Sequence, residues 1–126
     1  MLGQESPSRE LIRLILPEEL FDYFEVINLI VEDRAVHVYL DERDNKPISF
    51  VNEKLTSKGF HPEVVIRDFP IRKKAVLLHV RRWRWLVEST GELVSKSWDL
   101  AAEGTRYTKS FADFLKGLFG QLPHKR

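Results

Sequence analysis

The chain has 126 residues, 43% of them hydrophobic and 31% charged, with a formal net charge of +1 and no cysteine. One domain of this length can bury about two-thirds of its unfolded surface, and the composition is that of a folded protein, not a disordered one. No run reaches the roughly 20 apolar residues of a membrane span, the opening MLGQESPSRE lacks a signal-peptide pattern, and the lack of cysteine excludes disulfides, a thiolate nucleophile and a cysteine zinc site. A single cytoplasmic domain over residues 1–126 is the default expectation.

Ser8 is placed to cap a short amphipathic helix, RELIRLI, with apolar residues at 11, 12, 14 and 15. Pro17 can open a second helix, with Glu18 and Glu19 in its first turn, running to about residue 23. From Glu25 the period becomes two. Ile27, Leu29 and Val31 alternate with Asn28, Ile30 and Glu32, and beyond a turn at Asp33 and Arg34, Val36, Val38 and Leu40 alternate with Ala35, His37 and Tyr39. This predicts an antiparallel hairpin with one buried face.

DERDNKPIS carries turn chemistry and predicts a loop, and residues 52–62 are either irregular or a short helix ended at Gly59. PEVVIRDFP and KAVLLHVRRWRW form a second strand pair around the basic turn IRKK. Successive strand side chains point to opposite faces. Val76, Leu78, Val80, Arg82 and Arg84 therefore share one face, and Leu77, His79, Arg81, Trp83 and Trp85 the other. The strand starts apolar and ends charged, so its last residues are expected to project from the core. A further hairpin is predicted over LVESTGELVSKSWD, turning near Thr90 and Gly91. TKSFADFLKGLFG closes the chain with the clearest helix: Phe111, Phe114, Leu115, Leu118 and Phe119 recur at helical spacing between a Thr108 cap and Gly120. The fold class that results is α+β, with antiparallel hairpins in a small sheet, short N-terminal helices and a C-terminal amphipathic helix.

The near-zero charge conceals an asymmetry. Residues 1–63 hold 7 Lys and Arg against 13 Asp and Glu, net −6, whereas residues 64–126 hold 13 against 6, net +7. Between 67 and 86 stand Arg67, Arg72, Lys73, Lys74, Arg81, Arg82 and Arg84, with Asp68 the one acid. Arginine binds phosphate bidentately and stacks on aromatic planes, and tryptophan offers such a plane. RRWRW with IRKK therefore suits a nucleic-acid surface, unless Trp83 and Trp85 are core residues that the arginines only frame. The four histidines show no metal-ligand spacing and read as structural. The carboxylate pairs Glu18–Glu19 and Asp41–Glu42 fall at a helix start and in a loop. No GxSxG, Walker loop or HExxH is present, and neither an enzyme nor a cofactor is indicated.

FPIRKKAVLLHVRRWRW followed by WDLAAEGTRYTKSFADFL, together with PEELFDYFE and SKGFHPEVVIRDFP, resembles the N-terminal region of bacterial insertion-sequence transposases of the ISAon type, relatives of the ISL group. The likeness covers nearly the whole chain. It rests on a basic strand hairpin, a GTR-x-T turn and an apolar helix in that order. The resemblance implies a module that binds double-stranded DNA at the element's terminal inverted repeats, while a separate catalytic subunit with an acidic triad does the cutting. In the broader group the basic strand ends in a cysteine zinc ribbon near the positions of Trp85 and Glu88. This chain has no cysteine, so a ribbon-like hairpin here must be held by packing, with Trp85 and Trp98 as the candidates. The group's helix-turn-helix would begin at a helix like 108–119.

Two classes of function follow. In the first, a DNA-binding module of a transposase uses Arg72, Lys73, Lys74, Arg82 and Arg84 on phosphates and Trp83 or Arg81 against sugar or base, with Arg106 and Lys109 adding to the basic surface. In the second, a protein-interaction domain docks onto the catalytic subunit through the acidic half and the Phe-rich last helix. A homodimer is a further expected state, and no membrane is involved. A helix exposing three phenylalanines favours the second class; a solvent-facing basic hairpin favours the first.

Overall fold

The computed structural model describes residues 7–44, 47, 50, 52–96 and 108–120. Two short helices, α1 (Pro7–Ile15) and α2 (Leu20–Tyr23), precede seven strands: β1 (Phe24–Val31), β2 (Ala35–Glu42), β3 (Leu55–Phe60), β4 (Val64–Ile71), β5 (Lys74–Arg81), β6 (Trp83–Val87) and β7 (Glu92–Val94). A last helix, α3 (Lys109–Gly120), completes the α+β fold. The strands form two sheets, one ordered β1-β2-β5-β4 and one ordered β3-β6-β7. The expected hairpins β1–β2, β4–β5 and β6–β7 are all antiparallel. What joins the first two is a parallel pairing of β2 with β5, running from Ala35 opposite Ala75 to Asp41 opposite Arg81.

All three helices contribute to one core on one face of the larger sheet. Val36, Val38 and Leu40 of β2 and Val76, Leu78 and Val80 of β5 meet Ile12, Leu20 and Phe24 with Phe111, Phe114, Leu115 and Leu118 of α3. Burial of this aliphatic and aromatic surface is the main favourable term in folding. Phe111 and Phe114 are buried, and Phe119 is partly buried against the same core. Its N-terminus is held from far along the chain. Glu19 accepts from both the backbone N–H and the hydroxyl of Thr108 at 3.0 Å, and the Thr108 hydroxyl in turn accepts from the Phe111 N–H at 3.3 Å. Beyond any dipole effect on α2, Glu19 thus ties α2 to the start of α3.

Several expectations are corrected. Ser8 lies inside α1, which starts at Pro7, and Leu11, Leu14 and Ile15 are exposed while Ile12 and Leu16 are buried. In β1 a bulge at Ile27 shifts the register between Val26 and Asn28. An extra residue there turns Ile27 outward and restores Leu29 to the inner side, leaving Ile27 exposed; Val31, in phase with Leu29, is exposed at the end of the strand. β2 continues through Asp41 and Glu42, which are buried and not in a loop. Residues 55–60 are strand β3, neither irregular nor helical, with Gly59 at a φ of +83° inside it.

β3 and β4 run against β6 and β5 as one long bent ribbon. The His61 N–H donates to the Arg82 carbonyl at 2.8 Å between the two ladders, and Arg72 and Lys73 form the tip. The small sheet has its own core of Leu55, Trp85 and Val87. Trp85 of the β6–β7 hairpin packs in this core, whereas Trp98 lies outside the described residues.

Candidate nucleic-acid interface

The tip of the β4–β5 ribbon is a two-residue loop between the paired residues Ile71 and Lys74. Both loop residues have left-handed backbone, Arg72 at a φ of +50° and Lys73 at +69°. That geometry matches the twist of the flanking strands and is normally filled by Asn-Gly or a similar pair. A non-glycine residue there costs of order 1 kcal/mol or more, so the tip carries two exposed cations in place of the residues its backbone prefers.

Lys74 is not available in the same way, since its ammonium donates to the carbonyls of Glu32 and Asp33, both at 2.7 Å. It clamps the ribbon tip to the β1–β2 turn. The parallel pairing brings these turns to the same end of the sheet, where the Ala75 N–H donates to the Arg34 carbonyl at 2.9 Å. Arg34 is exposed and joins Arg72 and Lys73 there, with Arg67 exposed on β4. Sequence reasoning missed Arg34 because nothing local marks it; only the parallel register does.

The RRWRW side chains are partnered within the protein, Arg82 and Trp85 buried and Arg81, Trp83 and Arg84 partly exposed. Arg81 donates through Nε and Nη2 to the two Asp41 carboxylate oxygens at 2.8 and 2.7 Å, and its guanidinium lies 4.2 Å over the Phe60 ring. The hydrogen bonds to Asp41 raise the Arg81 pKa above its ordinary value, with burial opposing. Arg82 keeps the inward phase of Val76, Leu78 and Val80 and is 8% exposed. Its Nη2 donates to the Lys96 carbonyl at 2.7 Å, and its guanidinium sits 5.0 Å over Phe119. Burial lowers its pKa, opposed by the charge of Glu42.

Trp83 donates through its backbone and indole N–H groups to Glu42 and packs tilted by 32° against Phe60, ring centroids 4.1 Å apart. Arg84 is half-buried, donating to the Lys58 carbonyl at 3.1 Å, and Trp85 is in the small core. The expectation that this strand leaves the core is therefore corrected: it bends at Arg82 into the second sheet, and its inward positions stay buried. Of the remaining candidates, Lys109 is exposed and pairs with Asp113 at 3.3 Å one turn along α3, and Arg106, with the GTR-x-T turn, lies outside the described residues.

On the open face of the larger sheet the structure assembles a group that the sequence does not announce. His37 Nδ1 and His79 Nε2 are 2.8 Å apart, and each ring meets a carboxylate through its other nitrogen, Glu32 at 3.1 Å and Glu63 at 2.7 Å. Tyr39 stacks on His79 with centroids 4.3 Å apart. Among the described residues no three His, Asp or Glu side chains converge to hold a metal ion, and no helix is long and apolar enough to cross a membrane. No protein-family model, curated protein or solved structure matches this chain.

Proposed function

We propose that the chain is the DNA-binding N-terminal module of an insertion-sequence transposase, meeting duplex DNA through the tip of the β4–β5 ribbon. One observation carries this reading: two adjacent cations, Arg72 and Lys73, stand exposed at the end of a ribbon in a backbone conformation that disfavours them. Strain at a solvent-facing tip points to a role for the side chains outside the fold. A two-stranded ribbon is of a size the major groove admits, and Arg34 and Arg67 flank the tip with further charge. The target is the terminal inverted repeats, and cutting belongs to a separate catalytic subunit. The test is a salt titration on terminal-repeat and unrelated duplexes. Several phosphate contacts should cost orders of magnitude in affinity between about 50 and 200 mM salt. A flat salt response would remove the reading.

A second reading, docking onto the catalytic subunit, is favoured by a different surface from the one the sequence suggests. With Phe111 and Phe114 of α3 buried, the exposed apolar groups nearest to them across the core's rim are Ile15 of α1 and Phe69 of β4, the last 86% exposed. Ile15 and Phe69 border a groove of about 470 Å³ that reaches Phe114. Loss of co-purification with the catalytic subunit on Phe69→Ser, with DNA affinity unchanged, would assign that groove to docking.

A further inference from the structure

The parallel register places His37 opposite Leu77 and Tyr39 opposite His79, so the two imidazoles are diagonal neighbours across the junction between the hairpins. The order of groups is carboxylate, imidazole, imidazole, carboxylate: Glu63, His79, His37, Glu32, with contacts of 2.7, 2.8 and 3.1 Å. Each contact is within hydrogen-bond reach and needs one hydrogen between its two heavy atoms. Ionised carboxylates supply none. All three hydrogens must come from the rings, and two neutral imidazoles carry only two between them.

We infer that His37 and His79 together hold one extra proton, which closes a hydrogen-bonded clasp across the β2–β5 junction. Three of the four ring nitrogens carry hydrogen. That is one proton fewer than two imidazolium rings carry and one more than two neutral rings carry: one imidazolium and one imidazole, flanked by two carboxylates, for a net charge of −1 on the four groups. Without the extra proton one contact would set lone pair against lone pair. With a further proton, two N–H groups would point at each other at 2.8 Å.

The surroundings suit a single charge. The rings are largely shielded, with side chains 20% and 12% exposed, and Tyr39 covers His79. On β5 the next outward residue, Arg81, is paired with Asp41 of β2 and also feels the charge of Glu63, so it supports the ionised carboxylate at that end of the clasp. β1 contributes Ile30 opposite His37 and β4 contributes Val65 opposite His79, neither charged, and the remaining cation of that face, Arg67, stands one strand beyond, opposite Leu77. Glu32 also offers its carbonyl to Lys74, so the clasp and the ribbon tip share one turn.

The test is ¹⁵N NMR of the histidine rings in the full chain at about pH 7.5, where free imidazole is mostly neutral. Three ring N–H groups are expected for His37 and His79 together, with a scalar coupling between His37 Nδ1 and His79 Nε2 through the shared hydrogen. In Glu63→Leu the acceptor for His79 Nδ1 is gone, and the ring N–H count should fall from three to two with the coupling retained. Two N–H groups in the parent protein, or no coupling between the rings, would overturn the clasp. Three N–H groups persisting in Glu63→Leu would do the same, because the third proton would then not answer to the carboxylate.

Discussion

Trp83 is tied to Glu42 at both ends, its backbone N–H donating to Oε1 at 2.8 Å and its indole N–H to the Glu42 carbonyl at 2.7 Å. The side-chain bond continues the parallel ladder one step past Arg81, where β5 ends. Glu42 is buried, so Glu42→Ala leaves the Trp83 N–H without this acceptor, at a cost of about 1–3 kcal/mol. Glu42→Gln keeps an acceptor and should lose less. Urea unfolding of the two variants measures the difference; equal losses would assign the effect to the charge instead of the hydrogen bond.

Arg82 and Arg84 stand two residues apart and should behave differently. Arg82→Ala removes the donor to the Lys96 carbonyl and the cover over Phe119, with an expected loss of about 2–3 kcal/mol in stability. Arg82→Met should recover the packing part. Arg84→Ala should lose about 1 kcal/mol or less, as its bond to the Lys58 carbonyl is an exposed one. Neither change should alter the salt dependence of DNA binding. A reduced salt slope in Arg82→Ala with stability intact would return that residue to the DNA surface.

Trp85 supports the small sheet. It is 4% exposed and packs with Leu55 and Val87, and Trp85→Ala should cost about 3–5 kcal/mol, the usual range for a buried large aromatic. Hydrogen exchange reads the location: protection should fall first in β3, β6 and β7, with the β2–β5 ladder holding longer. Uniform loss over both sheets would mean that they unfold as one unit.

The helices and hairpins were legible because each rests on local pattern. The spacing of Phe111, Phe114, Leu115 and Leu118 marks α3, and the alternation of Val36, Val38 and Leu40 marks β2. What was not legible depends on register between distant segments. Nothing near His37 announces His79, and nothing near Arg34 announces Arg72; the parallel β2–β5 pairing makes both associations. The bulge at Ile27 defeated a pattern read strictly by twos. The misplacement of RRWRW has a similar cause. Three arginines in a row of five residues suggest solvent, but Asp41, the Lys96 carbonyl and the Lys58 carbonyl each hold one of them, although the Nε atoms of Arg82 and Arg84 are buried without an acceptor among the described residues.

The ribbon tip allows stability and binding to be moved in opposite directions. Replacing Arg72 by Asn and Lys73 by Gly gives the loop the residues its left-handed backbone favours, and relief of the strain should stabilise the fold by about 1 kcal/mol. The same change removes two exposed cations. If both contact phosphates, the slope of log affinity against log salt should become shallower by about 2, and affinity should fall. Alanine at both positions serves as the control, because it removes the charges without relieving the backbone. It should reproduce the binding loss and not the gain in stability. A more stable Asn-Gly variant with undiminished DNA affinity would show that the strained tip is not the contact surface, and the search for one would move to Arg67 and the β4 edge.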